Sequence, residues 1–195
     1  MTDKQPEQVS VPHNQGIRVD KAITINRPVE ALYAYWRNFE NLPQIMEHLK
    51  SVSNTGGDRS HWVAKAPADL QVEWDAELIN DVPNERIGWR SLEGAQVPNA
   101  GAVIFKTAPG KRGTEVLVSL KYDPPAGKIG ELVAKLFGQE PSQQIQEDLY
   151  RFRMLMETGE ISTIEGQTSG RRDSEEELAE KAATNPTPNN TQEVR

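Results

Sequence analysis

Glu73, Asp75 and Glu77 set three carboxylates two residues apart, and paired carboxylates are the side chains that general acid–base catalysis most simply uses. The stretch that carries them alternates as a β-strand does. Val72, Trp74, Ala76 and Leu78 fall on one face and the three acids on the other. The acids therefore point away from any apolar interior. On the following stretch Arg86 and Arg90 share a face opposite Ile87 and Trp89, so cross-strand ion pairs on a solvated sheet surface account for both sets.

Histidine chemistry is sparse. His13 lies in a polar leader, His61 adjoins Trp62 and so faces the other way, and His48 stands near the start of a strand. No H-x-x-x-H, H-x-E or acidic cluster has metal-ligand spacing, so no metal and no cofactor is expected. The chain has no Cys, which excludes disulfides, thiolate ligands and a Cys nucleophile. A G-x-S-x-G elbow, a P-loop and a G-x-G-x-x-G fingerprint are also absent. Inward-facing acid–base candidates reduce to Tyr33, Tyr35, Tyr122, His48 and Arg153, scattered along the chain.

Binding is the chemistry that the residue types favour. Of the four tryptophans, Trp62, Trp74 and Trp89 fall on consecutive predicted strands. On a shared face they supply flat, polarisable walls suited to a ring-containing or isoprenoid ligand. The same side chains would equally fill an ordinary core, and the sequence leaves both readings open.

The elements that must position these residues can be read in order. Residues 1–16 are polar and aperiodic, a disordered leader. Val19–Asn26 reads as a first strand. Arg27-Pro28 opens a helix carrying Leu32, Tyr35, Trp36 and Phe39, which breaks at Asn41-Leu42-Pro43 before a second helical turn through Ile45 and Met46. Six strand-like segments follow, separated by turn chemistry: 49–53, 60–66, 70–80, 85–92, 100–107 and 114–122. Val116, Val118, Leu120 and Tyr122 share a face of the last. A short apolar helix, 128–137, contains Leu132 and Leu136 between Gly127, Gly130 and Gly138, and could act as a flap over a cavity or touch a membrane. From Pro141 to Glu157, Ile145, Leu149, Phe152 and Met156 form one helical stripe, with Glu147, Asp148, Arg151 and Arg153 on the other faces. Residues 162–195 return to a polar, disordered tail.

Strand, two short helices, six antiparallel strands and a long final helix is the order of the helix-grip fold. The phrases INRPVEALYAYWRNFENLPQIM, HWVAKAP, VEWDAELINDVPNERIGWRS, NAGAVIFK and RGTEVLVSLKYDPP resemble the polyketide cyclase/dehydrase family. That family includes coenzyme Q-binding START-like proteins of the START/Bet v 1-like (SRPBCC) superfamily. The resemblance covers about 19–161 and implies an α+β, seven-stranded antiparallel sheet wrapped around the C-terminal helix, over residues 17–161. It also implies an apolar cavity between sheet and helix. The expected lining is Trp62, Trp74, Trp89, Phe105, Val118, Leu120, Tyr122, Leu132, Leu136, Leu149, Phe152 and Met156.

Totals set the remaining bounds. The chain has 195 residues, a net charge of −7 and 36% apolar residues, with a mean hydropathy of −0.67. The acidic balance and the lack of a basic stripe argue against nucleic-acid binding. No apolar run reaches the roughly 18 residues of a membrane span, and the N-terminus lacks a signal-peptide pattern. A cytoplasmic protein is expected. The leading expectation is non-catalytic binding or carriage of a lipid- or quinone-like molecule. The alternatives are a cyclase/dehydratase-type enzyme acting on an aromatic or polyketide-like substrate, and an interaction adaptor with a filled core, whose protein partner the sequence does not name.

Overall fold

The computed structural model describes residues 16–66, 70–123 and 141–161. The flap helix expected at 128–137 lies outside these residues, as do the leader and the tail. Seven strands form one antiparallel sheet: β1 Ile17–Ile25, β2 Leu49–Gly56, β3 Arg59–Lys65, β4 Gln71–Val82, β5 Arg86–Ser91, β6 Asn99–Thr107 and β7 Thr114–Tyr122. Their order across the sheet is β1-β7-β6-β5-β4-β3-β2. Strands β2 to β7 follow one another as a meander, while β1 adds beside β7, running from Ile17 opposite Tyr122 to Ile25 opposite Thr114. This is the seven-stranded helix-grip arrangement that the sequence implied.

Since β1 and β2 are opposite edges, the chain between them must cross the whole sheet. Helix α1, Val29–Arg37, and a 3-10 segment, Phe39–Gln44, make that crossing. The break falls at Asn38, whose φ of −85° and ψ of 89° are not helical, rather than at Asn41-Leu42-Pro43. Pro43 is accommodated because a 3-10 turn places few demands on its missing N–H. Leu32, Trp36, Phe39 and Leu42 all bury against the sheet.

The C-terminal helix α2, Pro141–Thr158, packs on the same inner face and lies beside β1. The charged outer face of the sheet is as expected. Arg90 Nη2 pairs with Glu77 Oε1 at 2.7 Å, directly across β5 and β4. His61 Nδ1 lies 2.8 Å from Asp75 Oδ1 and its Nε2 3.7 Å from Glu73 Oε2.

Two glycines allow close approaches that a side chain would block. Gly113, with φ +88°, sits where a Cβ would come 2.2 Å from the Ile25 carbonyl oxygen. Gly101 on β6 faces Trp89 on β5, and a Cβ there would meet the indole at 2.2 Å. The absent Cβ is what lets Trp89 lie flat on the sheet.

Candidate functional site

Strand alternation sends Trp62, Trp74 and Trp89 inward together. Trp62 and Trp74 are register partners on β3 and β4, and their rings stack at 5.9 Å between centroids and 17° between planes. Trp89 is the partner of Leu78 on the same face of β4. These three tryptophans, with Ala64 and Val72, wall a cavity of about 80 Å³ between sheet and helix. Val118, Leu120 and Tyr122 of β7 continue the wall, and Leu149 of α2 closes it.

The other expected residues lie elsewhere. Phe105 is buried on β6 with its ring edge-on to Tyr33 at 6.0 Å. Phe152 is fully buried between Tyr35 and Trp36, at 5.3 and 5.1 Å. Met156 packs at the far end of the core. The stripe runs the length of α2, whereas the cavity meets only its first half, at Gln144, Ile145, Asp148 and Leu149. Leu132 and Leu136 fall outside the described residues.

The cavity's polar groups come from residues that periodicity left aside. Asn99, Gln144, His48 and Asp148 all reach its wall. Asp148 is 4% exposed, not on an outer face of the helix. The signal was present in the spacing: Asp148 is three residues from Ile145 and four from Phe152, so it completes their inward stripe. His48 Nδ1 lies 3.7 Å from Asp148 Oδ2. Arg151 donates from Nη1 to Asp148 Oδ1 at 3.2 Å and from Nη2 to Glu47 Oε1 at 2.8 Å, so it bridges the buried acid to the surface.

Burial pushes the His48 imidazole down to about 4, reinforced by the positive charges of Arg151 and Lys65. Burial likewise pushes the Asp148 carboxyl up to about 7, against the pull of the Arg151 guanidinium. The pair is thus uncharged over much of the weakly acidic range: a neutral imidazole beside a carboxylic acid. Trp36 also lines the cavity, and its buried Nε1–H has no acceptor among the described residues. A buried donor left unmatched costs about 1–3 kcal/mol, so an acceptor brought by a bound molecule or water would be stabilising.

The family model described as polyketide cyclase / dehydrase and lipid transport matches residues 25–150. The chain belongs to this family. A solved structure from Deinococcus radiodurans, DR_A0006, is similar at 46% identity and a TM-score of 0.61, covering 74% of this chain and 100% of that one. An uncharacterized 17.2 kDa protein of Streptomyces lincolnensis is 27% identical over 142 residues, 72% of this chain and 89% of its own length. The Zhui aromatase/cyclase from a Streptomyces species shares the fold at 12% identity and a TM-score of 0.55, over 73% of this chain and 97% of its own. The match takes in the end of β1, the crossing segment, β2 to β7 and the half of α2 that meets the cavity. Among the described residues, no helix is long and apolar enough to cross a membrane.

Proposed function

We propose that this protein binds and carries a hydrophobic, ring-bearing small molecule, lipid- or quinone-like, between the sheet and α2. The observation that carries the reading is a cavity walled by tryptophans on the inner face, with the buried Trp36 indole donor lacking an acceptor among the described residues. Aromatic walls give a flat apolar molecule large contact area, and a few polar groups fix its orientation. An uncharged His48–Asp148 pair suits such a ligand, since a lone buried charge would have to be desolvated again on binding. The cyclase / dehydrase and lipid transport family supports a hydrophobic ligand.

Native mass spectrometry of the purified full chain tests this directly. An adduct of hydrophobic character is expected, and Ala64→Leu, which fills the cavity, is expected to lose it. A wild-type chain that carries no adduct and shows no tryptophan quenching with any added hydrophobic probe would sink the reading.

One observation favours a second reading, a cyclase/dehydratase-type enzyme acting on an aromatic or polyketide-like substrate. His48 and Asp148 place a proton acceptor and a proton donor side by side at the cavity wall, as acid–base chemistry on a bound ring would need. Under it, His48→Gln and Asp148→Asn abolish turnover while leaving ligand binding in place. Under carriage alone, neither variant changes the bound molecule chemically.

A further inference from the structure

A cavity of about 80 Å³ is small beside the roughly 300–1,000 Å³ of sites that hold drug-sized molecules. A second space of about 320 Å³ lies on the same inner face. The strands run from one into the other. Along β3, Ser60 lines the cleft, while Trp62 and Ala64 line the cavity. Along β4, Leu78 lines the cleft, while Trp74 and Val72 line the cavity. A hydrogen bond from Trp62 Nε1 to Ser60 Oγ at 2.8 Å ties the two walls together.

Phe39 stands between them. Its ring packs against Trp62 at 5.3 Å and against Trp89 at 6.1 Å, both cavity residues, while Phe39 itself lines the cleft. It opens the 3-10 segment, directly after the non-helical Asn38, where the backbone is least regular. We infer that cavity and cleft are two chambers of one amphipathic ligand site, with the Phe39 ring as the partition that a ligand displaces. This rests on the hydrophobic-ligand reading above and deepens it. The apolar body of the ligand occupies the tryptophan chamber, and its polar end lies in the cleft.

The cleft's chemistry matches a polar end. Asn38 and Asn54 offer amides, and Arg37 and Arg59 are offset by Glu40 and Asp58. An uncharged or zwitterionic hydrogen-bonding group suits this balance better than a net anion. The wall is held in shape: Arg37 Nε donates to Asp81 Oδ2 at 2.5 Å, Tyr33 Oη donates to the other oxygen of the same carboxylate, and Glu40 accepts from the Asn54 N–H at 3.0 Å. Pinned polar groups around an open space are a feature of preformed sites.

The probe for the test is 6-propionyl-2-(dimethylamino)naphthalene, an uncharged ring molecule with one carbonyl end, too large for the cavity alone. Titration of the full chain reads probe emission and tryptophan quenching together. If the open arrangement is populated at about one part in ten, removing the partition tightens binding about tenfold, so Phe39→Leu is expected to bind more tightly than wild type. Asn54→Trp, an exposed rim substitution that fills the cleft, is expected to weaken binding several-fold, and it stands as the test even if the Phe39 variant does not fold. Quenching that neither variant alters would overturn the two-chamber site while leaving a hydrophobic ligand site intact. Absence of both probe emission and quenching in the wild type would overturn both readings.

Discussion

Nδ1 of His48 and Oδ2 of Asp148 face each other at 3.7 Å, and folding in effect moves one proton from the first to the second. The unfolded chain holds the imidazole near 6.5 and the carboxyl near 3.8, whereas the folded chain holds them near 4 and 7. Between about pH 4 and 6.5, protons bound by the pair are equal in the two states, so its contribution to stability is flat there.

Removing either partner exposes the slope of the other. In Asp148→Asn, the depressed His48 contributes stability that is present above pH 6.5 and is lost as pH falls towards about 4. In His48→Gln, the raised Asp148 contributes stability that is present below about 3.8 and is lost as pH rises through about 7. Each slope approaches about 1.4 kcal/mol per pH unit at most. Urea midpoints at unit pH steps, taken as differences from wild type, should diverge in opposite directions. Parallel difference curves would show that the two groups titrate independently of folding.

Arg27 caps the gripping helix from the other end of the chain. Its guanidinium donates to the Met156 carbonyl oxygen and, through Nη2, to the Glu157 carbonyl oxygen at 2.7 Å. The Glu157 carboxylate accepts from the Asn26 N–H at 2.8 Å. A cation at a helix C-terminus satisfies carbonyls that have no intrahelical partner. Arg27→Ala is expected to lower unfolding free energy by about 1–3 kcal/mol, read as a lower urea midpoint. Arg27→Lys should fall between, since an ammonium lacks the planar fork.

Gly113→Ala should be the costliest single-methyl addition in the domain. Its φ is positive and the new Cβ would meet backbone, the Ile25 oxygen at 2.2 Å and the Arg27 nitrogen at 2.7 Å, neither of which can rotate away. A loss of about 2 kcal/mol or more is expected, checked by thermal or urea denaturation. A variant as stable as wild type would mean that the β1–β7 junction relaxes freely.

Gly101→Ala tests function instead. The new Cβ meets the far atoms of the Trp89 indole, a side chain that can swing towards the cavity. The expected result is a modest stability loss of about 1–3 kcal/mol and a marked fall in hydrophobic-probe binding. Tryptophan quenching and denaturation midpoint, measured on the same sample, separate the two effects.

Strand positions were legible because alternation and turns agree throughout the meander. Val72, Trp74, Ala76 and Leu78 point inward, and Glu77 meets Arg90 outside. The site was legible only where it follows that alternation. Depth along α2 was not, because Leu149 and Phe152 obey the same helical period while only the first lines the cavity. Asp148 was misplaced because a carboxylate on an inward position conflicts with its polarity, and only the neighbouring His48 and Arg151, remote in sequence or one turn on, make its burial tolerable. The 3-10 crossing at Phe39 was hidden because its geometry depends on the sheet beneath it rather than on local propensity.

The pairing of β1 with β7 carries a consequence for how the chain is made. Ile17 finds its partner at Tyr122, so β1 leaves the ribosome long before the strand it must join. The hairpins from β2 to β7 close locally, but the inner face with its tryptophans is covered only by the crossing segment until β7 and then α2 emerge. Such long-range closure is slow and prone to aggregation during synthesis. Holding β1 in an assembly-competent, unpaired form through that interval is a demand placed on the newborn chain by the same topology that later walls the tryptophan cavity.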